Sequence, residues 1–219
     1  MPRSPLARGA TRTAFAARVA ALPLSAALLV SAVLGGCATV PPETVWLKLP
    51  VQAPQPPARG TPTGDTWQLL APVRLPGHLD RDALMLPSHD GLQGAMLRAA
   101  DGLRWAEPLR DALPRLLRDD LETALAAPLW RTPLPPGVTP TRQLRIELLA
   151  LDVQPGRRAV ALQARFSIAA ADGRGAPLAG DVALSVPIDG GSAEALALAH
   201  RQAIAVLAAR IADAARSRR

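Results

Sequence analysis

The stretch Leu144-Arg145-Ile146-Glu147-Leu148, followed beyond a Pro155-Gly156 turn by Val160-Ala161-Leu162-Gln163-Ala164-Arg165-Phe166-Ser167-Ile168, decides the fold. Apolar residues alternate with charged, polar or small ones in both segments, which is the period of a strand with one face in a core and one in water. An Asp172-Gly173-Arg174-Gly175 turn leads into a third run of the same kind, with Val182, Leu184 and Val186 on its apolar side. Three such runs joined by tight turns predict an antiparallel meander whose apolar face must be covered by something else.

Two helical patterns supply the cover. Across residues 105–125, Trp105, Leu109, Ala112, Leu113, Leu116, Leu117, Leu121, Ala124 and Leu125 recur at helical spacing, with Arg110, Asp111, Arg115, Arg118, Asp119 and Glu122 mostly opposite. Pro108 suits a first turn, whereas Pro114 predicts a kink or a restart. Near the C-terminus Ser192 caps a helix to about Arg216. Glu194 at its start and Arg216, Arg218 and Arg219 at its end suit the macrodipole, and Leu196, Ala199, Ala203, Ile204, Leu207 and Ile211 form its apolar face.

Upstream, residues 44–49 alternate and read as a short strand. Residues 50–64 hold five prolines (Pro50, Pro54, Pro56, Pro57 and Pro62) and read as an extended surface loop. Residues 66–75 read as a second strand, at an edge or bulged because Pro72 cannot donate to a ladder. Residues 83–86 and 95–99 predict a small hairpin, and Asp101-Gly102 a further turn. The expected fold class is α+β, a mainly antiparallel sheet with two amphipathic helices packed on one face. Residues 44–219 are expected to form a single domain, with no internal repeat.

The first residues follow a different logic. Arg3, Arg8, Arg12 and Arg18 form a basic stretch without an acid, residues 19–34 are apolar apart from Pro23, Ser25 and Ser31, and Leu34-Gly35-Gly36-Cys37 ends the run. This is the layout of a lipoprotein signal peptide over residues 1–36, with Cys37 as the lipid-attachment residue and residues 37–43 as lipidated N-terminus and spacer. The apolar run is short for a membrane span and carries a proline. No cofactor is expected beyond the diacylglyceryl and N-acyl groups on Cys37. Several acyl chains, each CH₂ worth about 0.8 kcal/mol when buried, anchor stably where one does not. Ala38 after the cysteine resembles the pattern of lipoproteins forwarded to the outer membrane. Cys37 is the sole cysteine, so no internal disulfide is available and the fold must rest on its core.

Charge and composition narrow the function. The formal charge of +7 drops once four arginines leave with the signal, since 21 basic residues then face 18 acidic ones, for +3. Aromatics make up 3% of the chain and tyrosine is absent, so there is no platform for stacking bases, and no nucleic-acid partner is expected. His78, His89 and His200 are too scattered for a metal site. Ser88-His89-Asp90 contains the residue types of a hydrolase triad, but adjacent side chains do not converge and no nucleophile elbow is present. Asp119 and Asp120 point about 100° apart on a helix, which is poor geometry for an acid/base pair. No phosphate-binding loop occurs. The expectation is a protein that is not an enzyme.

Two stretches carry a family resemblance: Leu75-Pro76-Gly77-His78-Leu79-Asp80-Arg81, and Leu103-Arg104-Trp105-Ala106-Glu107-Pro108-Leu109 followed by Arg115-Leu116-Leu117. Together, behind a lipobox, they resemble the ABC-type transport auxiliary lipoprotein family, the PqiC-like lipoproteins, which pair an LPxYLDR-like turn with a later RWAEPL-like helix start. The chain departs from that pattern at His78, Asp82 and Trp46-Leu47. The resemblance implies an outer-membrane lipoprotein on the periplasmic face. Its partner would be the MCE-domain protein of an inner-membrane lipid transport system, approached singly or as a homo-oligomer surrounding it. Carried over, Leu75, Pro76, Leu79, Asp80 and Arg81 form the turn, and Trp105, Glu107, Pro108 and Leu109 the helix start. These are the candidate partner contacts, though each also has a purely structural use, with Trp105 as core filler and Asp80 and Arg81 pairing with each other. A lipoprotein that chaperones another outer-membrane complex is the alternative function.

Overall fold

The computed structural model describes residues 43–88 and 96–217. The signal segment, Cys37, His89 and Asp90 lie outside the described residues. The elements run β1 (Val45–Leu47), β2 (Trp67–Leu69), β3 (Ala83–Pro87), β4 (Leu97–Trp105), α1 (Leu109–Leu125), β5 (Leu129–Arg131), β6 (Arg142–Val153), β7 (Ala159–Ala170), β8 (Leu178–Pro187) and α2 (Ala193–Ser217).

The meander forms as expected. β6 pairs with β7 and β7 with β8, both antiparallel, placing Leu144 opposite Ile168 and Ile146 opposite Phe166. Leu144, Ile146, Val160, Leu162, Ala164 and Phe166 are buried, while Arg145, Gln163 and Arg165 between them are exposed. The sheet therefore has one wet face. The helices cover the other: α2 lies on β7 and β8, and α1 packs against α2 and β5. Leu116, Leu117 and Leu121 of α1 meet Ile204, Leu207 and Ile211 of α2 in one core that is closed to solvent.

Strand direction is where the structure corrects the expectation. The five-stranded sheet has the order β5-β2-β6-β7-β8, and β2 runs parallel to both β5 and β6. A smaller sheet, β1-β4-β3, combines the expected β3/β4 hairpin with a parallel β1. The sheets are thus mixed. Alternation shows which face of a strand is buried but not its direction, and the long connection from β2 through the hairpin and α1 lets the chain return parallel. Nor is β2 at an edge. It ends at Leu69 and Pro72 falls outside it, with only an isolated parallel bridge from Arg74 to Glu147 continuing the line.

Other differences are local. Asp101-Gly102 is not a turn between elements but an irregularity inside β4, where Gly102 takes φ of 67° and the register with β3 shifts. Trp105 ends β4, and α1 begins only at Leu109 after Pro108, because Trp105 N–H donates to the Asp82 carbonyl across the sheet. Pro114 neither interrupts nor restarts α1. It lies in the second turn, so the carbonyl it leaves without an intrahelical donor belongs to exposed Arg110.

The proline-rich loop is irregular as expected, yet it is strapped to the helices. Arg201 of α2 donates to the carbonyls of Pro50 and Val51, Gln202 exchanges hydrogen bonds with the Gln55 backbone, and Gly60 N–H reaches Thr123 at the end of α1. Ala53 is buried beneath it. At the start of α2, Ser192 Oγ accepts from Ala195 N–H at 3.0 Å, the cap read from the sequence. α2 is long and apolar enough to span a membrane by composition alone, but most of it is buried in this core.

Candidate functional site

The two motif stretches meet in space. Pro76 and Gly77 start a tight turn in which Leu79 N–H donates to Pro76 at 3.0 Å, and Leu79 tucks its side chain into the core. The turn presents Asp80 outward, where its carboxylate accepts from Arg110 of α1 at 2.9 Å. Asp82 Oδ1 lies 3.4 Å from Arg104, and the Asp82 carbonyl takes the Trp105 N–H at 2.6 Å. From the other stretch, Glu107 Oε2 accepts from Arg115 at 2.7 Å, fixing the approach to α1. The motif is a clasp that holds the β3/β4 hairpin against the start of α1.

Within the clasp the candidate residues separate by role. Leu79, Trp105 and Leu109 are buried. Trp105 sets its ring edge to face against His200 of α2, centroids 5.2 Å apart, while Ala106 N–H donates to Leu47 of β1. His200 is itself buried and its Nδ1 lies 2.7 Å from the Leu196 carbonyl. Burial pushes the His200 imidazole below its ordinary pKa, with that carbonyl and the Asp152 carboxylate pulling the other way. Asp152 also lies 2.7 Å from His78 Nε2, tying the motif turn to the end of β6. Asp80 and Arg81 do not pair with each other. Asp80 is taken by Arg110, and Arg81 is exposed without an ion pair among the described residues.

Beside the turn lies an open cleft of about 520 Å³, lined by Pro72, Val73, Arg74, Leu75, Pro76, Asp80, Arg110, Glu147, Leu148 and Leu149. Its floor is apolar and its rim carries both signs of charge. A bulge builds one wall. Leu148 faces Ala164 and Ala150 faces Gln163, so Leu149 is the extra residue on β6 and stands 41% exposed. The bulge also inverts the parity of burial, from Leu144, Ile146 and Leu148 before it to Leu151 and Val153 after it. A second cavity of about 260 Å³ shares Pro72, Val73 and Arg110 and extends towards Pro114 and Arg131. Leu75, Pro76 and Asp80 therefore line an open surface, whereas Trp105 and Leu109 are buried and do not line it.

Sequence reasoning missed a second polar feature. Arg201, 1% exposed, places Nη1 and Nη2 at 2.6 and 2.7 Å from the two oxygens of Asp120, which is 5% exposed. The pair locks α1 to α2, and the remaining donors of Arg201 hold the Pro50-Val51 carbonyls. The signal was available. Arg201 falls four residues after Ala197 and three before Ile204, and Asp120 three after Leu117 and four before Ala124, so each is a charge placed within an apolar stripe. Among the described residues no group of three or more His, Cys, Asp and Glu gathers as a metal site would require.

The geometry defines an α+β domain with a structural clasp and an open cleft beside it. The family model for the ABC-type transport auxiliary lipoprotein component matches residues 47–212, and the chain belongs to that family, the PqiC-like lipoproteins. The family is an auxiliary component of transport systems, is not known as an enzyme, and as a lipoprotein family is membrane-anchored and envelope-associated. Two solved structures share the fold. A crystal structure of an uncharacterised protein aligns with TM-score 0.60 at 16% identity, over 78% of this chain and 97% of the other. One from Xanthomonas campestris aligns with TM-score 0.58 at 15% identity, over 77% and 93%. No curated protein matches the chain.

Proposed function

We propose that the protein is an outer-membrane-anchored lipoprotein that serves as the accessory binding component of an MCE-type lipid transport system, with the cleft beside the motif turn receiving the periplasmic MCE partner. The observation that supports this reading is the match of the transport auxiliary family across the clasp and the cleft. The division of labour within the motif agrees with it. Leu79, Trp105 and Leu109 are buried, while Arg81 and the bulged Leu149 stay on the surface, Arg81 without an ion pair among the described residues. An apolar floor rimmed by Arg74, Asp80, Arg110 and Glu147 suits a partner segment with apolar anchors and polar flanks. ATP hydrolysis belongs to the transporter, since this chain carries no nucleotide-binding motif.

The test is crosslinking in intact envelopes followed by purification of the lipoprotein. An MCE-domain protein is expected to co-purify, and Arg81→Glu combined with Leu149→Asp should abolish the crosslink. Both positions are exposed, so each substitution should change stability by no more than about 0.5 kcal/mol. Repeated purification without an MCE protein, or full retention of it by the double variant, would overturn this assignment.

A further inference from the structure

Seven large hydrophobic residues are conspicuously exposed among those described, and three of them, Val45 at 46%, Trp46 at 60% and Val51 at 59%, fall within one short segment. Strand alternation explains Trp46: Leu47 and Leu49 turn into the core, so Trp46 of β1 and Lys48 just beyond it point outward, while Val45 precedes the first buried position of the strand and Val51 follows in the loop. Beneath them a cavity of about 260 Å³ separates β1 from the first turns of α2, with Pro50, Ala197 and Leu198 among its walls. Trp46 thus stands, among the described residues, without an aromatic partner on an apolar shelf, with Lys48, the single lysine of the chain, beside it.

We infer that this shelf lies on the lipid surface that carries the anchor, with Trp46 seated at headgroup level. The inference rests on the reading of Cys37 as the acylated residue. Trp46 follows Cys37 by nine residues, and a chain extends at most about 3.3–3.6 Å per residue, so Trp46 stays within roughly 30 Å of the acylated sulfur. A tether that short holds the bilayer at high effective concentration against whatever face lies nearest, and β1 is the first element among the described residues. Tryptophan prefers the interface because its ring is apolar and its N–H is polar, and lysine beside it can reach lipid phosphate. Glu194 lines the same cavity as Lys48 and offsets its charge, so apolar burial rather than electrostatic attraction is the main term. Membrane apposition of this shelf would also fix the orientation in which the rest of the domain faces the periplasm.

The experiment uses the full acylated protein in phosphatidylethanolamine–phosphatidylglycerol vesicles containing a brominated phospholipid that quenches tryptophan near the headgroups. Wild-type fluorescence should be quenched. Trp46→Ala should bring quenching down to the level seen without bromine, while Trp130→Phe, which removes the other exposed tryptophan, should leave it intact. Quenching that survives Trp46→Ala, or its absence from protein that floats with the vesicles and carries the acyl label, overturns the inference and leaves the anchor standing. Protein that neither floats nor takes up labelled palmitate overturns the reading of Cys37, and the inference with it.

Discussion

Replacing Asp120 with alanine strips the Arg201 guanidinium of its counter-charge where water does not reach. The structure gives the size of the effect: Arg201 is 1% exposed, both of its terminal nitrogens are within 2.7 Å of the carboxylate, and the remaining donors are committed to the Pro50 and Val51 carbonyls. Removing one member of a buried pair costs about 3–5 kcal/mol, against a typical total stability of about 5–15 kcal/mol. At roughly 2–4 °C per kcal/mol for a chain of this size, Tm should fall by about 6–20 °C. Arg201→Met should cost at least as much, because it also leaves the Pro50 and Val51 carbonyls without their donor, and residues 50–64 should become more sensitive to protease. Combining Asp120→Leu with Arg201→Met removes the lone buried charge that each single change leaves, so the double variant should recover on the order of 1–4 kcal/mol. Urea unfolding followed by two spectroscopic probes measures the cycle. A single variant within about 1 kcal/mol of wild type, the range of an exposed ion pair, or a cycle that closes additively would refute the reasoning.

Three further outcomes follow from particular contacts. His200 is held neutral by burial, so below its ordinary pKa the unfolded chain binds a proton before the folded one does; stability should fall as pH drops below about 6.5, and His200→Gln should flatten that slope in unfolding curves taken between about pH 7.5 and 5. Ala126 ends α1 with φ of 49°, a conformation that disfavours a side chain, so Ala126→Gly should raise stability by about 1 kcal/mol in urea titrations, and no gain would contradict the cap assignment. A Cβ on Gly180 would come within 2.7 Å of Phe166, its partner across β7 and β8, so Gly180→Val should cost about 1–3 kcal/mol, and Phe166→Leu in the same chain should restore part of it.

Much of the fold was legible because each long element presents a face to one core. The meander of β6, β7 and β8, the cap at Ser192 and the apolar stripes of both helices all follow from spacing. What was not legible depended on partners distant in sequence. The parallel placement of β2 between β5 and β6 is set by which strands it meets, and three residues of alternation say nothing about that. Trp105 fits the helical register of α1 equally well as a strand end, and the hydrogen bond to Asp82 decides between them. Leu149 reads as one more core leucine until the bulge turns it outward. The cleft was not legible as a cavity, since Val73, Leu75 and Leu148 have the composition of ordinary core, although the motif marked Leu75, Pro76 and Asp80 on its lining.

The clasp gives a physical reason for the two motif stretches to occur together. Asp80 is solvent-facing and would gain nothing from its turn alone, but Arg110 lies two residues beyond Pro108 and reaches it once α1 starts at Leu109. The start of α1 is fixed in turn by Trp105, whose indole fills the space against His200 and whose backbone N–H donates to the Asp82 carbonyl. Moving either stretch by one residue would separate Asp80 from Arg110 and expose Leu79 or Leu109. The cleft is bounded on one side by Asp80 and Arg110 and on the other by the bulge at Leu149, so its shape depends on the clasp being closed. Substitutions at buried Trp105 or Leu109 should therefore abolish partner binding through loss of the cleft. The Arg81→Glu and Leu149→Asp double change should abolish it with the fold intact, and circular dichroism on the same preparations separates the two classes.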